Sequence, residues 1–482
     1  MKKLKYLYIA FIVFVSGCVK LEEVPKGMVS PETFYTSKAQ VEASFAAAMN
    51  SVWGYWYGYG VSYQAWNSTF YFDDHAYGGD LVINVYAGND FWAYHYKALL
   101  NVNTALKAIL DGKVKNSTED EISQLTGEAK LLRAYNYFQL VRLFGDVPLY
   151  TEGDNPGLNP EPRASVADVY AQIVSDLLDA ASKLPATWPG DFQGRPTSGV
   201  ANGLLAKVYI TMATAPLNQT SNYALAAAAA KKVMDAGVYS LVPNVYDVFK
   251  YENKFGPEMM WSYISTTDDG ATDGQEWTGP EAPYYGWGDI TCTDSFTKRY
   301  PDQPRKDAYL ILYNSDSVYY TDWTVAAKRA GIKKYLYGPL EELNAYKIQY
   351  NMPILRYADV LLLYAEAANM ANGGPTQAAV DALNAVIQRA NGVKGTEPLS
   401  TLGMTKQAFD DKVIQERSWE LCFENDRWFD IGRKRILEKV TAESEPWSVV
   451  NFSVDDYLFA IPLVDLRLNP LLTQNPGYPT KE

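Results

Sequence analysis

The sequence predicts a mainly α protein, a scaffold of stacked helical hairpins interrupted by long irregular loops and a few short strands. Apolar residues recur at helical spacing in nine blocks: 37–52, 91–110, 120–144, 165–184, 198–214, 222–236, 356–371, 376–390 and 406–424. Two stretches, about 53–90 and 240–350, lack that period and exceed the usual length of a connecting loop, so they are expected to be functional or to carry small strands. With 48% hydrophobic and 21% charged residues, the 482-residue chain can bury a large core, as one α-rich unit or two interlocked lobes.

The head of the chain reads as a targeting segment. Lys2, Lys3 and Lys5 precede a ten-residue apolar run, Tyr6 to Val15, too short for a membrane span and right for a signal peptide. Val15-Ser16-Gly17-Cys18 follows, which resembles the lipobox of bacterial lipoproteins. Cleavage before Cys18 and acylation of that residue would anchor the chain, since stable anchoring takes at least two acyl chains. Lys20, Glu22 and Glu23 then make a charged patch similar to a surface-export signal, or simply a solvated leader.

Among the helices, Ser37 with Gln40 and Ser165 with Asp168 have the spacing of capping boxes. Gly373-Gly374-Pro375 supplies a stop and an N1 proline between two helices. In Leu131–Tyr150, LLRAYNYFQLVRLFGDVPLY, an apolar stripe of Leu131, Ala134, Tyr135, Phe138 and Val141 is expected to face a core. Arg133, Asn136, Gln139 and Arg142 occupy the rest of the cylinder. Gly145 is expected in a left-handed cap, and Pro148 forbids further helix.

That segment closely resembles the most recognisable stretch of the SusD/RagB family, surface nutrient-binding lipoproteins that sit on TonB-dependent transporters. Family-like segments recur in order at Arg195–Ile210, Tyr239–Val242, Pro353–Ala368, Glu416–Gly432 and Asn469–Tyr478. Cys422 departs from the pattern, where a small residue is usual, and so does Val464–Leu468. The resemblance implies tetratricopeptide-like helix pairs, degenerate in sequence, consistent with the lack of a clean 34-residue repeat. It further implies a signal peptide over 1–17 and one SusD-like domain over 18–482. The helical scaffold would occupy about 31–240 and 351–482, with a loop-rich ligand-binding insertion at about 241–350. Such a protein would face the cell exterior from the outer membrane, bind an oligosaccharide or polysaccharide, and deliver it to a SusC-like transporter. RagB-like peptide binding on the same scaffold is an alternative, and a surface glycoside hydrolase is one of a different class.

The family segments resemble scaffold, so candidate ligand residues come from composition. Residues 52–96 hold sixteen Phe, Trp or Tyr among 45, and 277–323 hold eleven among 47, against 14% for the chain. Axial C–H bonds of a pyranose lie flat on aromatic rings while its hydroxyls seek polar groups at the rim. Trp66, Tyr71, Asp73 and His75 in the first segment, and Tyr284, Tyr285, Trp287 and Trp323 in the second, are the candidate contacts. Gly-rich runs such as YYGWGD present rings on irregular backbone, whereas Trp92 with Tyr96, four apart, fit helix packing.

Other chemistries fare worse. Asp359 and Glu366 lie two helical turns apart, roughly 10 Å, not far from an inverting glycosidase pair. Their helix is apolar on almost every side, so ion pairing is expected, with Arg356, Arg417 and Arg427 as partners. Glu416, Glu420 and Glu424 share one face and are expected to pair or be solvated. Only His75 and His95 are available as imidazole bases, and no GxSxG, HExxH or Walker sequence occurs, so the chain reads as a non-enzyme. A formal charge of −13, becoming −16 once Lys2, Lys3 and Lys5 leave with the signal, disfavours nucleic acid. Cys292 and Cys422 make neither a disulfide framework nor a familiar zinc site; no cofactor is implied and no metal is named.

Overall fold

The computed structural model describes residues 34–53, 70–71, 75–77, 88–154, 159–190, 193–264, 290–314, 317–322, 329–337, 351–392, 403–442 and 454–480. Its first half runs α1 (Lys38–Trp53), β1 (Phe70–Tyr71), β2 (His75–Tyr77), α2 (Asn89–Leu110), α3 (Glu119–Phe144), β3 (Val147–Pro148), β4 (Arg163–Ala164), α4 (Val166–Lys183), α5 (Ser198–Ala213) and α6 (Asn222–Ala236). Each of these helices packs on the next, a stack of hairpins. After α6 come β5 (Met259–Tyr263), β6 (Ile290–Cys292), α7 (Asp294–Arg299), α8 (Pro304–Tyr309), β7 (Leu310–Ile311) and β8 (Gly331–Ile332). Strand β9 (Met352–Arg356) then runs straight into α9 (Tyr357–Asn372), which rejoins the stack against α6. The remainder is α10 (Gln377–Ala390), α11 (Lys406–Glu420), α12 (Arg427–Lys434), α13 (Leu437–Ala442) and α14 (Leu463–Leu468).

All nine expected helical blocks are helices, and local chemistry explains their ends. Thr118 begins α3 with a complete capping box, its hydroxyl accepting from the Glu121 amide while Glu121 accepts from the Thr118 amide. Ser165 caps α4 through the Asp168 amide at 3.2 Å. At α1, Gln40 accepts from the amides of Thr36 and Ser37, the reverse half of the box. Three details differ from expectation. Pro375 precedes the α10 cap and is not its first residue, because the Thr376 hydroxyl accepts the Ala379 amide. Gly145 has φ 71° but ψ −127°, a region essentially reserved for glycine, and a Cβ there would meet Leu458 at 3.1 Å. The helix expected to reach 424 stops at Glu420, since Phe423 and Asn425 take positive φ and turn Glu424 back toward the core.

Helix α3 is central. Flanked by α2 and α4, it buries its polar side as well as its apolar stripe. Arg133 is thus 2% exposed, its fork closed on Asp176 at 2.7 and 2.8 Å. One large apolar cluster runs through the helical stack, and a second gathers Val245, Phe249, Cys292, Phe296, Tyr309 and Tyr335 around residues from 242–337.

Between the two clusters lies a matched set of buried charges. Arg356, at the end of β9, donates to Glu258, Glu420 and Glu424. Arg389 reaches Glu258 and Glu420, Arg305 reaches Glu416 and Glu420, and Lys334 reaches Glu424. A second network ties α9 to α11 and α12. Asp359 meets Arg417 and Lys207, each at 2.6 Å, and Glu366 takes the fork of Arg433 and the ammonium of Lys434. Of the three arginines expected beside these carboxylates, Arg417 pairs with Asp359, whereas Arg356 turns to Glu258, Glu420 and Glu424. Arg433 on α12 faces Glu366.

Burial pushes the Glu366 carboxyl up, but Arg433 and Lys434 outweigh it and hold its pKa at about 2. A carboxylate depressed on folding contributes stability above its unfolded pKa and loses it as pH falls toward the folded value. For Glu366 that contribution is about 3 kcal/mol, lost between pH 4.5 and 2. Glu366→Gln, which leaves Arg433 only Asp430 and Lys434 only Asp410 as carboxylate partners, is expected to cost about 3 kcal/mol at pH 7 and to show a shallower acid decline. Urea denaturation of both proteins from pH 7 to 3 checks this; parallel curves of equal midpoint would contradict it.

Candidate functional site

The two aromatic-rich segments meet in one sheet. Strand β1 pairs with β2 through Phe70 opposite Tyr77 and Tyr71 opposite Ala76. Strand β2 in turn pairs with β6, placing His75 opposite Cys292, Ala76 opposite Thr291 and Tyr77 opposite Ile290. Strands more than 200 residues apart in sequence are therefore hydrogen-bonded neighbours. The Cys292 amide also donates to the Ala330 carbonyl at 2.9 Å, which ties the 329–332 strand to the same place. Antiparallel pairing brings facing residues within about 5.5 Å, so this sheet is the local reason the segments converge.

Of the candidate residues, Tyr71 lies in β1 and His75 in β2. Trp66, Asp73, Tyr284, Tyr285, Trp287, Trp323 and the acylation candidate Cys18 lie outside the described residues. Aromatics at the edges of the first segment pack as expected of core: Trp92 is 3% exposed and meets Phe144 edge-on, with Tyr96 alongside. In the second segment the structure adds a pair that composition did not single out. Tyr313 and Tyr319 face each other across a bridge closed by the Val318 amide on Asn314, their rings 5.3 Å apart, with Tyr313 57% exposed. Tyr320 beside them is buried and donates to Asp294 at 2.6 Å. The signal was the Asn-containing turn between two tyrosines.

A cavity of about 460 Å³ opens where α1 and β5 end, the points from which both segments depart. Phe45, Met49, Trp261, Tyr263 and Ile264 give it apolar walls; Asn50, Gln193 and Ser262 add polar groups. Strand β5 shifts register against β9 on both sides of Trp261, and four consecutive residues, 261–264, line the cavity. Such bulges re-aim side chains beside binding sites. Arg195 braces the rim, pairing with Glu42 and Glu128 and stacking over Trp188. Burial dominates at Glu128 and raises its carboxyl pKa despite Arg195. Buried Ser262 has a hydroxyl with no hydrogen-bond partner among the described residues.

His95, Asp359 and Glu366 are held in structural roles. Burial drives the His95 pKa to about 3, and its Nδ1 is 2.7 Å from Asn136 Oδ1, so it stays neutral. Because the Asn136 amide nitrogen donates to the Leu132 carbonyl, its oxygen accepts from His95. Asp359 and Glu366 are bound in ion pairs. Among the described residues no group of three or more His, Cys, Asp or Glu side chains could hold a metal.

The chain matches known families at both ends. Residues 309–478 match the SusD family, and residues 16–210 match the family of starch-binding proteins associating with the outer membrane. The chain is thus similar to SusD-type proteins along most of its length. SusD-like protein P2 of Formosa agariphila is 28% identical across 99% of this chain and all of that protein. A SusD-like protein of Bacteroides ovatus is 26% identical over 85% of this chain and 78% of its own. The fold agrees: a SusD superfamily protein of Parabacteroides distasonis superposes with a TM-score of 0.74 at 24% identity, covering 91% and 99% of the two chains. A laminarin-binding SusD-like protein superposes equally well, TM-score 0.74 at 23% identity, over 92% and 100%. In this chain the three-stranded sheet lies outside the helical stack.

The bare Ser262 hydroxyl sets a test of the cavity. Ser262→Ala removes a buried polar group without a partner and is expected to leave folding stability unchanged or raise it by up to about 1 kcal/mol. Trp261→Ala, by contrast, should lower it by about 3 to 5 kcal/mol. Urea denaturation distinguishes them; a loss above 1 kcal/mol in Ser262→Ala would mean the hydroxyl is satisfied.

Proposed function

We propose that this SusD-like protein is a cell-surface lipoprotein that binds an oligosaccharide and passes it to a SusC-like TonB-dependent transporter. The observation that carries the reading is the β1–β2–β6 sheet, which brings the backbones of the two aromatic-rich segments together. Trp66, Tyr71, Asp73 and His75 from one side, and Tyr284, Tyr285, Trp287 and Trp323 from the other, form the proposed platform, with exposed Tyr313 as a further ring. On this reading the insertion at about 241–350 carries most of the site and the two helical stretches carry the insertion. Support also comes from relatives: one structural neighbour is a laminarin-binding protein, and another is a surface glycan-binding protein of Bacteroides uniformis. Capture without hydrolysis fits the commitment of Asp359 and Glu366 to ion pairs.

An aromatic platform gives modest affinity per sugar, which suits release to a transporter. Trp287→Ala and Trp66→Ala should each weaken glycan binding by about 1 to 3 kcal/mol with the melting temperature nearly unchanged. Calorimetric titration against a panel of glycans and extended peptides, with parallel melts, tests this. Unaltered affinity together with a melting point several degrees lower would return these rings to the core, and binding of peptides alone would favour the RagB-like alternative.

No helix among the described residues is long and apolar enough to cross a membrane, so the anchor we propose is acylated Cys18. Cys18→Ala should move the protein from the membrane to the soluble fraction, whereas gentle detergent extraction of wild type should bring down a large β-barrel receptor. Retention of the variant in the membrane, or a lone monomer under crosslinking, would count against the anchor and the partner respectively.

A further inference from the structure

A second cavity, about 370 Å³, lies away from the sheet, and its charge is anomalous. Arg142, Arg163, Arg433 and Arg435 line it, against a single lining carboxylate, Asp146, among the described residues. Elsewhere the buried arginines of the two ion networks, and Arg133 and Arg195 outside them, each meet a carboxylate. Here Arg433 alone does so, through Glu366 and Asp430. The Arg142 guanidinium is held between the rings of Phe138 and Phe429, at 3.8 and 3.5 Å from their centroids. It donates to the Phe138 carbonyl and the Gln139 amide oxygen, with no carboxylate within 4 Å among the described residues. Arg163 spends its donors on neutral oxygens: the carbonyls of Phe144, Asp146 and Thr473, and the Asn475 side chain. Arg435, exposed at the left-handed end of α12, lies over the Tyr457 ring at 4.2 Å and has no polar partner among the described residues.

Structural duties account for where two of these groups sit. Arg163 closes the end of α3 and Arg142 is packed by rings. Carbonyls and rings do not neutralise a charge, however, and burial lowers the pKa of both arginines. In a protein of net charge −13, three arginines without carboxylate partners converge on one concave space walled by Tyr170, Trp428 and Tyr457. Three family-like segments supply much of that wall: Leu131–Tyr150, Glu416–Gly432 and Asn469–Tyr478. The glycan platform leaves these segments unused.

We propose that this cavity is an anion site that takes a small ligand bearing one carboxylate or sulfate group, received by the unused N–H donors of Arg435 and Arg142. Planar guanidinium forks match both oxyanions, and a space of this size suits a ligand of about one sugar ring.

Calorimetry on the full chain in a neutral detergent tests it with three probes at low ionic strength: glucuronate, inorganic sulfate and glucose. Glucuronate or sulfate should bind, glucose should not bind here, and 0.3 M NaCl should weaken binding several-fold. Glucuronate preferred over sulfate assigns the oxyanion to an organic acid, and the reverse order to a sulfate group. Arg435→Gln, at an exposed position, should reduce affinity at least tenfold without moving the melting point, and Arg142→Lys should also reduce it. Absence of binding by both anions, or affinity unchanged in Arg435→Gln, overturns the proposal. Neutral-glycan binding to the aromatic platform, measured on the same variant, is expected to be unchanged, so failure here and failure of the glycan reading are separable.

Discussion

Eight charges buried between two apolar cores form the constraint on which the architecture depends. Arg305, Lys334, Arg356 and Arg389 face Glu258, Glu416, Glu420 and Glu424 with nearly no solvent, and every one is matched. Desolvating charges this completely is unfavourable unless geometry is close to ideal, so the set tolerates no displacement of one partner relative to another. Its members come from the residue before β5, from the strand entering α9, from α10, from the end of α11 and from the 300–337 region. Fixing them fixes how the second core sits on the helical stack. Glu420 shows the strength of the field: burial alone would raise its carboxyl, yet Arg389, Arg356 and Arg305 hold it far below the ordinary range.

The same network explains an irregularity at the end of α11. Continuing that helix would carry Glu424 along the cylinder. Positive φ at Phe423 and Asn425 breaks it, and Glu424 returns to Arg356 with both oxygens at 2.7 Å. Local backbone strain is tolerated where the surrounding contacts over-determine it.

Helices were legible because their signals are local. Apolar spacing, Ser37 with Gln40, Ser165 with Asp168 and Gly373 after α9 act within a turn or two of chain. The short helices α7, α8 and α12 were not, since six to eight residues give too few periods, and their packing is set by distant chain. Ion pairs were legible in kind and only partly in partner: Arg417 is expected near Asp359, but nothing in the spacing points to Arg433 as the partner of Glu366. The candidate site was legible as composition only. Pairing of residues 75–77 with 290–292 is a long-range event that strands of three residues do not encode, and the candidate rings sit in segments without period. The lack of a carboxylate beside Arg142 and Arg435 is a property of their neighbours in space, which sequence spacing does not carry.

That long-range sheet also has a kinetic consequence. His75 and Cys292 are separated by over 200 residues, so pairing their strands closes a very long loop. Hairpins α2 through α6 need only neighbours and can form early, whereas β1 and β2 must wait with an open edge. Contacts of such high sequence separation are slow to close, and an unpaired edge invites wrong partners. The sheet is therefore expected to assemble after the stack beneath it, leaving its strands dependent on chaperone protection while their edge stands open.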